Sequence, residues 1–268
     1  MKLMFAPWQN AAAANAFPNI SALTDALQKH APQDGSKEAN INIEPRVAKY
    51  FATAAIEIWQ RAVQSLLISI AVTDESKLWS SVSGYYASHY TFRGLAHLLG
   101  YYQLFRKGWI IHLYVDGGRF VATYKKKRVR EHDWYRGVVA SDRQFRAEPF
   151  FTNPPPPALL DVAHRDRANY SDHLSLNPHI RSVNKAAIRA RLQRISHIEV
   201  QAPEAFTLDK FPDVEAVQIN AYQRIVRFRQ YLDQTLDTNR LWNVHRTPGW
   251  AKEFTDFQLI EARGATQR

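Results

Sequence analysis

The chain has 268 residues, of which 46% are hydrophobic and 22% are charged, and this balance predicts a folded protein with one large core or two smaller ones. No apolar run approaches the roughly 20 residues that a membrane helix needs. The sequence contains no cysteine, which excludes disulfides, thiolate zinc sites and cysteine nucleophiles. We therefore expect a cytoplasmic protein without a membrane span.

The net charge of +10 is concentrated in two stretches of the chain. Between Arg119 and Arg146 there are nine basic residues against three acidic ones, and between Pro178 and His197 there are five basic residues and no acidic one. Such concentrated positive charge favours a polyanion, of which nucleic acid is the commonest. The alternative is a solvated basic surface without a ligand. The side chains that we expect to contact RNA or another nucleic acid are Lys125, Lys126, Lys127, Arg128, Arg130, Arg181, Lys185, Arg189 and Arg194.

The first half of the chain predicts helices. Residues 1–43 are expected to form an N-terminal extension and linker with a short helix over 20–30. A long amphipathic helix begins at Pro45, and a second helix is predicted from about Glu75 to Phe105. Small residues lie among aromatic ones in the second helix, so a neighbouring helix can approach closely. The apolar stripe of the first long helix consists of Val47, Phe51, Ala55, Ile58, Ala62, Leu66 and Ile70.

After the second helix the apolar period changes from 3.6 to 2, which predicts a β-hairpin over 109–124 with a turn at Asp116-Gly117-Gly118. A basic and proline-rich segment follows, so that the whole insertion covers about 109–160. Two further helices are predicted over 178–197 and from Val214 to about Leu236. The expected fold is mainly α, with a helical bundle over 44–236, the inserted hairpin, and a C-terminal tail over 237–268 that packs on the core.

The second predicted helix contains Gly84-Tyr85-Tyr86-Ala87-Ser88-His89-Tyr90 and then Leu95-Ala96-His97-Leu98-Leu99. Together with the helix before it, this sequence resembles the HEPN superfamily over about 46–106. The resemblance continues more weakly over 178–236. The resemblance implies a HEPN-like bundle of four to five helices. Many members are ribonucleases that need neither metal nor cofactor, and they use an arginine and a histidine four to six residues apart, usually from two protomers. We interpret His89 and His97 as buried bundle histidines, since no carboxylate stands beside them at ligand spacing.

Two pairs in the sequence match this spacing. Arg191 and His197 are the preferred catalytic pair, because they lie at the end of a predicted helix shortly before the last one; Arg167 and His173 are the second choice. Imidazole can transfer the proton of the ribose 2′-hydroxyl, and guanidinium can stabilise charge on the phosphate. We expect one and a half turns of helix to place the preferred pair on one face.

Two functions remain as hypotheses from the sequence. The first is a HEPN-type metal-independent endoribonuclease that acts as a toxin or an antiphage defence effector, as a homodimer or with an antitoxin or defence partner. The second is a non-catalytic nucleic-acid-binding or scaffold subunit of a defence or RNA-processing complex. Neither needs a cofactor or a membrane.

Overall fold

A computed structural model describes residues 20–33, 36–104, 108–152, 185–198 and 213–235. Of these residues 64% are helical, so the described part of the chain is mainly α, as predicted. The helices are α1 (Ile20–Lys29), α2 (Pro45–Ala71), α3 (Lys77–Leu98), α4 (Glu131–Ser141), α5 (Lys185–Ser196) and α6 (Asp213–Thr235). The strands are β1 (Glu38–Ile43), β2 (Tyr101–Leu104), β3 (Trp109–Asp116) and β4 (Arg119–Lys126).

The described residues form two compact units. The sheet unit contains the four strands, α1, α4 and parts of α2 and α3. The helical unit contains the other parts of α2 and α3, with α5 and most of α6. In residue numbers, the sheet unit comprises 20–33, 36–58, 92–104, 108–144 and 231–235, and the helical unit comprises 59–91, 145–152, 185–198 and 213–230.

The predicted β-hairpin is confirmed as β3 and β4, but it forms only the middle of a larger sheet. The sheet is antiparallel, with strand order β1-β4-β3-β2. Gly117 and Gly118 both have positive φ, 53° and 78°, which is the backbone that a tight two-residue hairpin turn requires. The sequence therefore predicted two of the four strands of this sheet.

The two additional strands correct two boundaries drawn from the sequence. β1 lies within 1–43, which we expected to be an extension and linker; its alternation of Ala39, Ile41 and Ile43 is diluted by asparagine, which strands usually avoid. The second long helix ends at Leu98 and not near Phe105. Gly100 ends it, because its φ of 84° leaves the right-handed helical region.

The two faces of the sheet differ. One face packs on helices: the Tyr124 hydroxyl donates a hydrogen bond to the Leu27 carbonyl oxygen at 2.9 Å, and the rings of Phe51 and Tyr102 meet edge to face at 6.2 Å. The opposite face carries half-buried and exposed side chains. We call it the open face; the side chains that the register places on it include Asn40, Tyr101, Ile110, His112, Tyr114, Thr123 and Lys125.

The predicted apolar stripe of α2 is confirmed as core, because all seven positions are buried. In α6 the apolar residues Val217, Ala221, Ile225, Phe228 and Leu232 are buried too. The helix predicted over 178–197 is described from Lys185 onward. The prolines at 154–157, residues 178–184 and the tail at 237–268 lie outside the described residues. No described helix is long and apolar enough to cross a membrane.

Close helix approach in the helical unit depends on Gly84 of α3. A Cβ at this position would lie 2.7 Å from Cγ1 of Val217 and 3.2 Å from Oγ of Ser69. Val217 is buried and has a stiff β-branched side chain, so it cannot easily move aside. The small residues of the aromatic helix thus have a steric role in the packing of α3.

Gly84→Ala should lower the free energy of unfolding by about 1–3 kcal/mol, because the clash exceeds the gain in helix propensity. Gly137→Ala is the matched control, since Gly137 is exposed on α4 and a Cβ there meets no atom within 4 Å; it should be neutral or stabilise by up to about 1 kcal/mol. Urea unfolding of the two variants measures the difference. Equal effects of both substitutions would contradict close packing at Gly84.

Candidate nucleic-acid interface

Cations cluster where β4 leaves the sheet. Residues 125–130 contain five of the nine basic residues counted between Arg119 and Arg146, and we call them the cationic segment. Lys125, Lys126, Lys127, Arg128 and Arg130 are all exposed. The segment is held at its base, because the backbone N–H of Lys127 donates to the Gly108 carbonyl oxygen at 2.9 Å. This hydrogen bond thus fixes the backbone that carries the exposed cations.

Two cations of the segment make contacts with other side chains of the sheet unit. Nζ of Lys125 lies 3.3 Å from Oε2 of Glu38, in a pair with more than half of each side chain exposed. Nζ of Lys126 lies 4.8 Å from the centre of the Trp109 ring. Within the described part of the chain, no ion pair engages Lys127 or Arg128. Because exposed ion pairs contribute about 1 kcal/mol or less, a phosphate group can compete for these cations.

Aromatic rings lie next to the cationic segment on the open face. Strand register places Tyr101 of β2 directly opposite His112 of β3, and their rings stack with centres 4.1 Å apart and planes 8° apart. Trp134 of α4 meets the Tyr101 ring edge to face at 6.3 Å. The three rings are each half-buried. They line a pocket of about 120 Å³ together with Ile110, Ile111, Thr123 and Lys125.

The local environment keeps the stacked rings uncharged. Burial lowers the pKa of His112 below its ordinary 6.5, so the imidazole is neutral at pH 7. Burial, and after it the negative charge of Asp142, raises the pKa of Tyr101. The pocket therefore offers uncharged aromatic surfaces, and Lys125 supplies a cation at its rim. An arrangement of this kind can stack a flat ring and bind an adjacent anion.

The preferred arginine and histidine pair lies in the helical unit. Arg191 of α5 contacts α6 and the loop between α2 and α3: its Nε donates to Oε1 of Gln218 at 3.1 Å, and its Nη1 lies 3.8 Å from Oδ1 of Asp74 in that loop. His197 is exposed in the turn after α5. Six residues of helix rotate by about 600°, so the two positions lie about 120° apart around the axis. The expectation that the spacing itself places both on one face was wrong.

The basic residues of α5 differ in what they contact. Nη2 of Arg194 pairs with Oε1 of Glu215 at 2.8 Å, and the Glu215 side chain is almost fully buried. A buried carboxylate needs such a partner, so Arg194 has a structural role as well as an exposed side chain. Arg189 is exposed, and the backbone of Lys185 begins the helix. Arg181, Arg167 and His173 lie outside the described residues.

The two histidines of α3 are buried, as the sequence indicated. Nδ1 of His97 lies 2.9 Å from the Tyr101 carbonyl oxygen and must donate to it, because a carbonyl only accepts. The His89 ring stacks on Tyr85 in the helical unit, with the planes 7° apart. Within the described ranges, no three His, Asp or Glu side chains come together as a metal site.

Sequence reasoning found the cationic segment and missed the rings beside it. Tyr101 was assigned to a helix, and Trp134 lay in a charged segment after the hairpin. His112 was the detectable signal, since it alternates with the apolar residues of β3 and must face away from the core. No family model, curated protein or solved structure matches this chain.

Proposed function

We propose that this protein binds nucleic acid through the cationic segment and the adjoining open face of its sheet. The observation that carries the proposal is the run of four consecutive exposed cations, Lys125 to Arg128, whose first residue lines a pocket with half-buried aromatic rings. The proposal is the second of the two functions considered from the sequence. It applies to RNA in the first place, since RNA is the polyanion that the resemblance implies.

Phosphate contacts supply the affinity in this proposal. Each lysine or arginine that neutralises a phosphate releases condensed counterions, so that affinity falls as salt rises. Glu38 pairs with Lys125 of the segment, and this pair is exposed enough to exchange for a phosphate. The rigid attachment of the segment to Gly108 lowers the entropy lost when a strand binds.

Fluorescence anisotropy of the full chain with a labelled single-stranded RNA in EDTA tests the proposal. We expect binding that weakens steeply as salt rises, with the RNA recovered intact on a gel. Absence of binding at low salt, or binding that does not respond to salt, would contradict it.

Metal-independent RNA cleavage is a second proposal, in which the protein acts as a toxin or defence effector. It is supported by the exposure of His197, which leaves the imidazole accessible to a substrate. Arg191 would then act from its place between Gln218 and Asp74, and a second protomer would have to complete the site. Activity should accordingly fall on dilution.

If the second proposal is right, His197→Ala should reduce RNA cleavage in EDTA by about 100-fold, because the proton-transfer group is lost. RNA affinity should change little, since the affinity comes from cations elsewhere. His173→Ala is the comparison variant in the same gel assay. Normal cleavage by His197→Ala together with loss of cleavage by His173→Ala would indicate that Arg167 and His173 form the catalytic pair.

A further inference from the structure

The open face carries a continuous row of side chains across all four strands. The register places Asn40, Thr123, His112 and Tyr101 side by side on β1, β4, β3 and β2. At one end of the row the Thr123 hydroxyl donates to Oδ1 of Asn40 at 2.7 Å, and at the other end the rings of His112 and Tyr101 stack. The row is therefore polar at one end and aromatic at the other.

The ring stack stabilises the sheet, as cross-strand pairs do, but its position allows more than that. The core of the sheet unit is on the opposite face, where Tyr124 and Tyr102 contact α1 and α2. On the open face Tyr101, His112 and Trp134 keep part of their surface in solvent. Half-buried rings around a pocket present a flat apolar surface without further rearrangement.

We propose that this pocket takes one unpaired nucleobase of a single-stranded nucleic acid, stacked against Tyr101, His112 and Trp134, with the adjoining phosphate near Lys125. The inference rests on the proposed function and names the form of nucleic acid that the site selects. Base-paired duplexes keep both faces of their bases stacked internally and so cannot enter.

The size of the pocket selects a strand over a free nucleotide. Its volume of about 120 Å³ is below the roughly 300–1,000 Å³ of sites that enclose a small molecule. It therefore accommodates one ring of a longer ligand, whose remaining affinity must come from outside the pocket. Lys125 is the first residue of the cationic segment, and the other cations of the segment supply that affinity.

The test compares ring removal with ring replacement. The double variant Tyr101→Leu/His112→Thr removes both stacked rings and keeps residue types that strands tolerate, while Tyr101→Phe/His112→Phe keeps two rings. Each protein is titrated with a labelled 12-nucleotide single strand of RNA at several salt concentrations. At one of these concentrations it is also titrated with the same sequence as a duplex, with adenosine monophosphate and with polyglutamate. Circular dichroism confirms that each variant is folded, and Tyr101→Leu alone replaces the double variant if that one unfolds.

We expect the natural protein to bind the single strand at least 10-fold more tightly than the duplex. Ring removal should weaken single-strand binding by about 10- to 100-fold with an unchanged salt dependence, and the two phenylalanines should restore it to within a few-fold. Duplex binding should be the same in all variants. Adenosine monophosphate and polyglutamate should bind far more weakly than the single strand.

Four results would overturn the inference: equal affinity for single strand and duplex, unchanged binding after ring removal, monophosphate binding as tight as that of the strand, or polyglutamate binding as tight as that of the strand. In the first two cases salt-sensitive RNA binding would survive, so the proposed function would stand without the pocket. Absence of RNA binding by the natural protein would instead remove the proposed function itself.

Discussion

Replacing Lys125, Lys126, Lys127 and Arg128 with alanine should weaken binding to single-stranded RNA by about 100-fold or more at about 0.1 M salt. Each phosphate contact on a single strand contributes about 0.7 to the slope of log affinity against log salt, so four contacts contribute about 3. Lys126 is partly engaged by the Trp109 ring, and we therefore expect the slope to fall by about 2 to 3 units. Anisotropy titrations at several salt concentrations measure both quantities.

A change in net charge alone must be separated from a change at the site. The variant that replaces Lys29, Arg46, Arg61 and Lys77 with alanine removes the same four charges from other exposed positions. Its slope should stay within about one unit of the natural protein, because dispersed cations contact few phosphates of a bound strand. If both variants lose affinity equally, binding depends on overall charge and the cationic segment has no special role.

Gln218→Leu should lower the free energy of unfolding by about 2–4 kcal/mol, because it removes the centre of a buried hydrogen-bond network. The amide nitrogen Nε2 of Gln218 lies 3.2 Å from Oγ of Ser69, 2.8 Å from Oγ1 of Thr73 and 3.0 Å from Oγ of Ser80. Each of these hydroxyls donates its proton to a backbone carbonyl, so its oxygen can only accept from the amide, whose two N–H groups are shared among the three oxygens. The substitution leaves all three oxygens without this donor.

The same substitution releases Arg191, whose Nε donates to Oε1 of Gln218. Gln193→Leu at an exposed position of α5 is the control and should change stability by less than about 0.5 kcal/mol. Urea unfolding followed by circular dichroism measures both variants. An effect of Gln218→Leu as small as that of the control would show that the network contributes little to stability.

RNA binding by folded Gln218→Leu separates the two proposed functions. Affinity should be unchanged if the strand lies on the open face of the sheet unit, because Gln218 belongs to the helical unit. Cleavage, if present, should fall, since the guanidinium of Arg191 loses the contact that orients it.

The apolar positions of α2 from Val47 to Ile70 could be predicted from the sequence, because they recur at steps of three and four residues. They are buried, but α2 and α6 are also buried on most of their other sides, which the apolar period of an amphipathic helix does not show. The hairpin was equally visible, since Gly117 and Gly118 lie between two alternating runs. Local patterns that match the periods of helix and strand were sufficient in these cases.

The missed features depend on contacts between distant parts of the chain. β1 has only six residues, rich in asparagine, and pairs with β4 about 80 residues later. β2 has only four residues and follows shortly after α3. Its tyrosines continue the aromatic residues of the helix, so the sequence pattern shows no boundary between the two elements. The pocket joins Tyr101, His112 and Trp134, which only the sheet register and the position of α4 bring together. Separation along the chain hides such a site from pattern analysis.

Ultraviolet crosslinking of the full chain to a single-stranded RNA, with the crosslinked peptides identified by mass spectrometry, locates the bound strand most directly. If the open face and the cationic segment bind the RNA, crosslinks should map to peptides that contain Tyr101, Lys125 to Arg128 and Trp134, and high salt should abolish them. Crosslinks confined to residues 185–198 would contradict this account and would favour a site around α5.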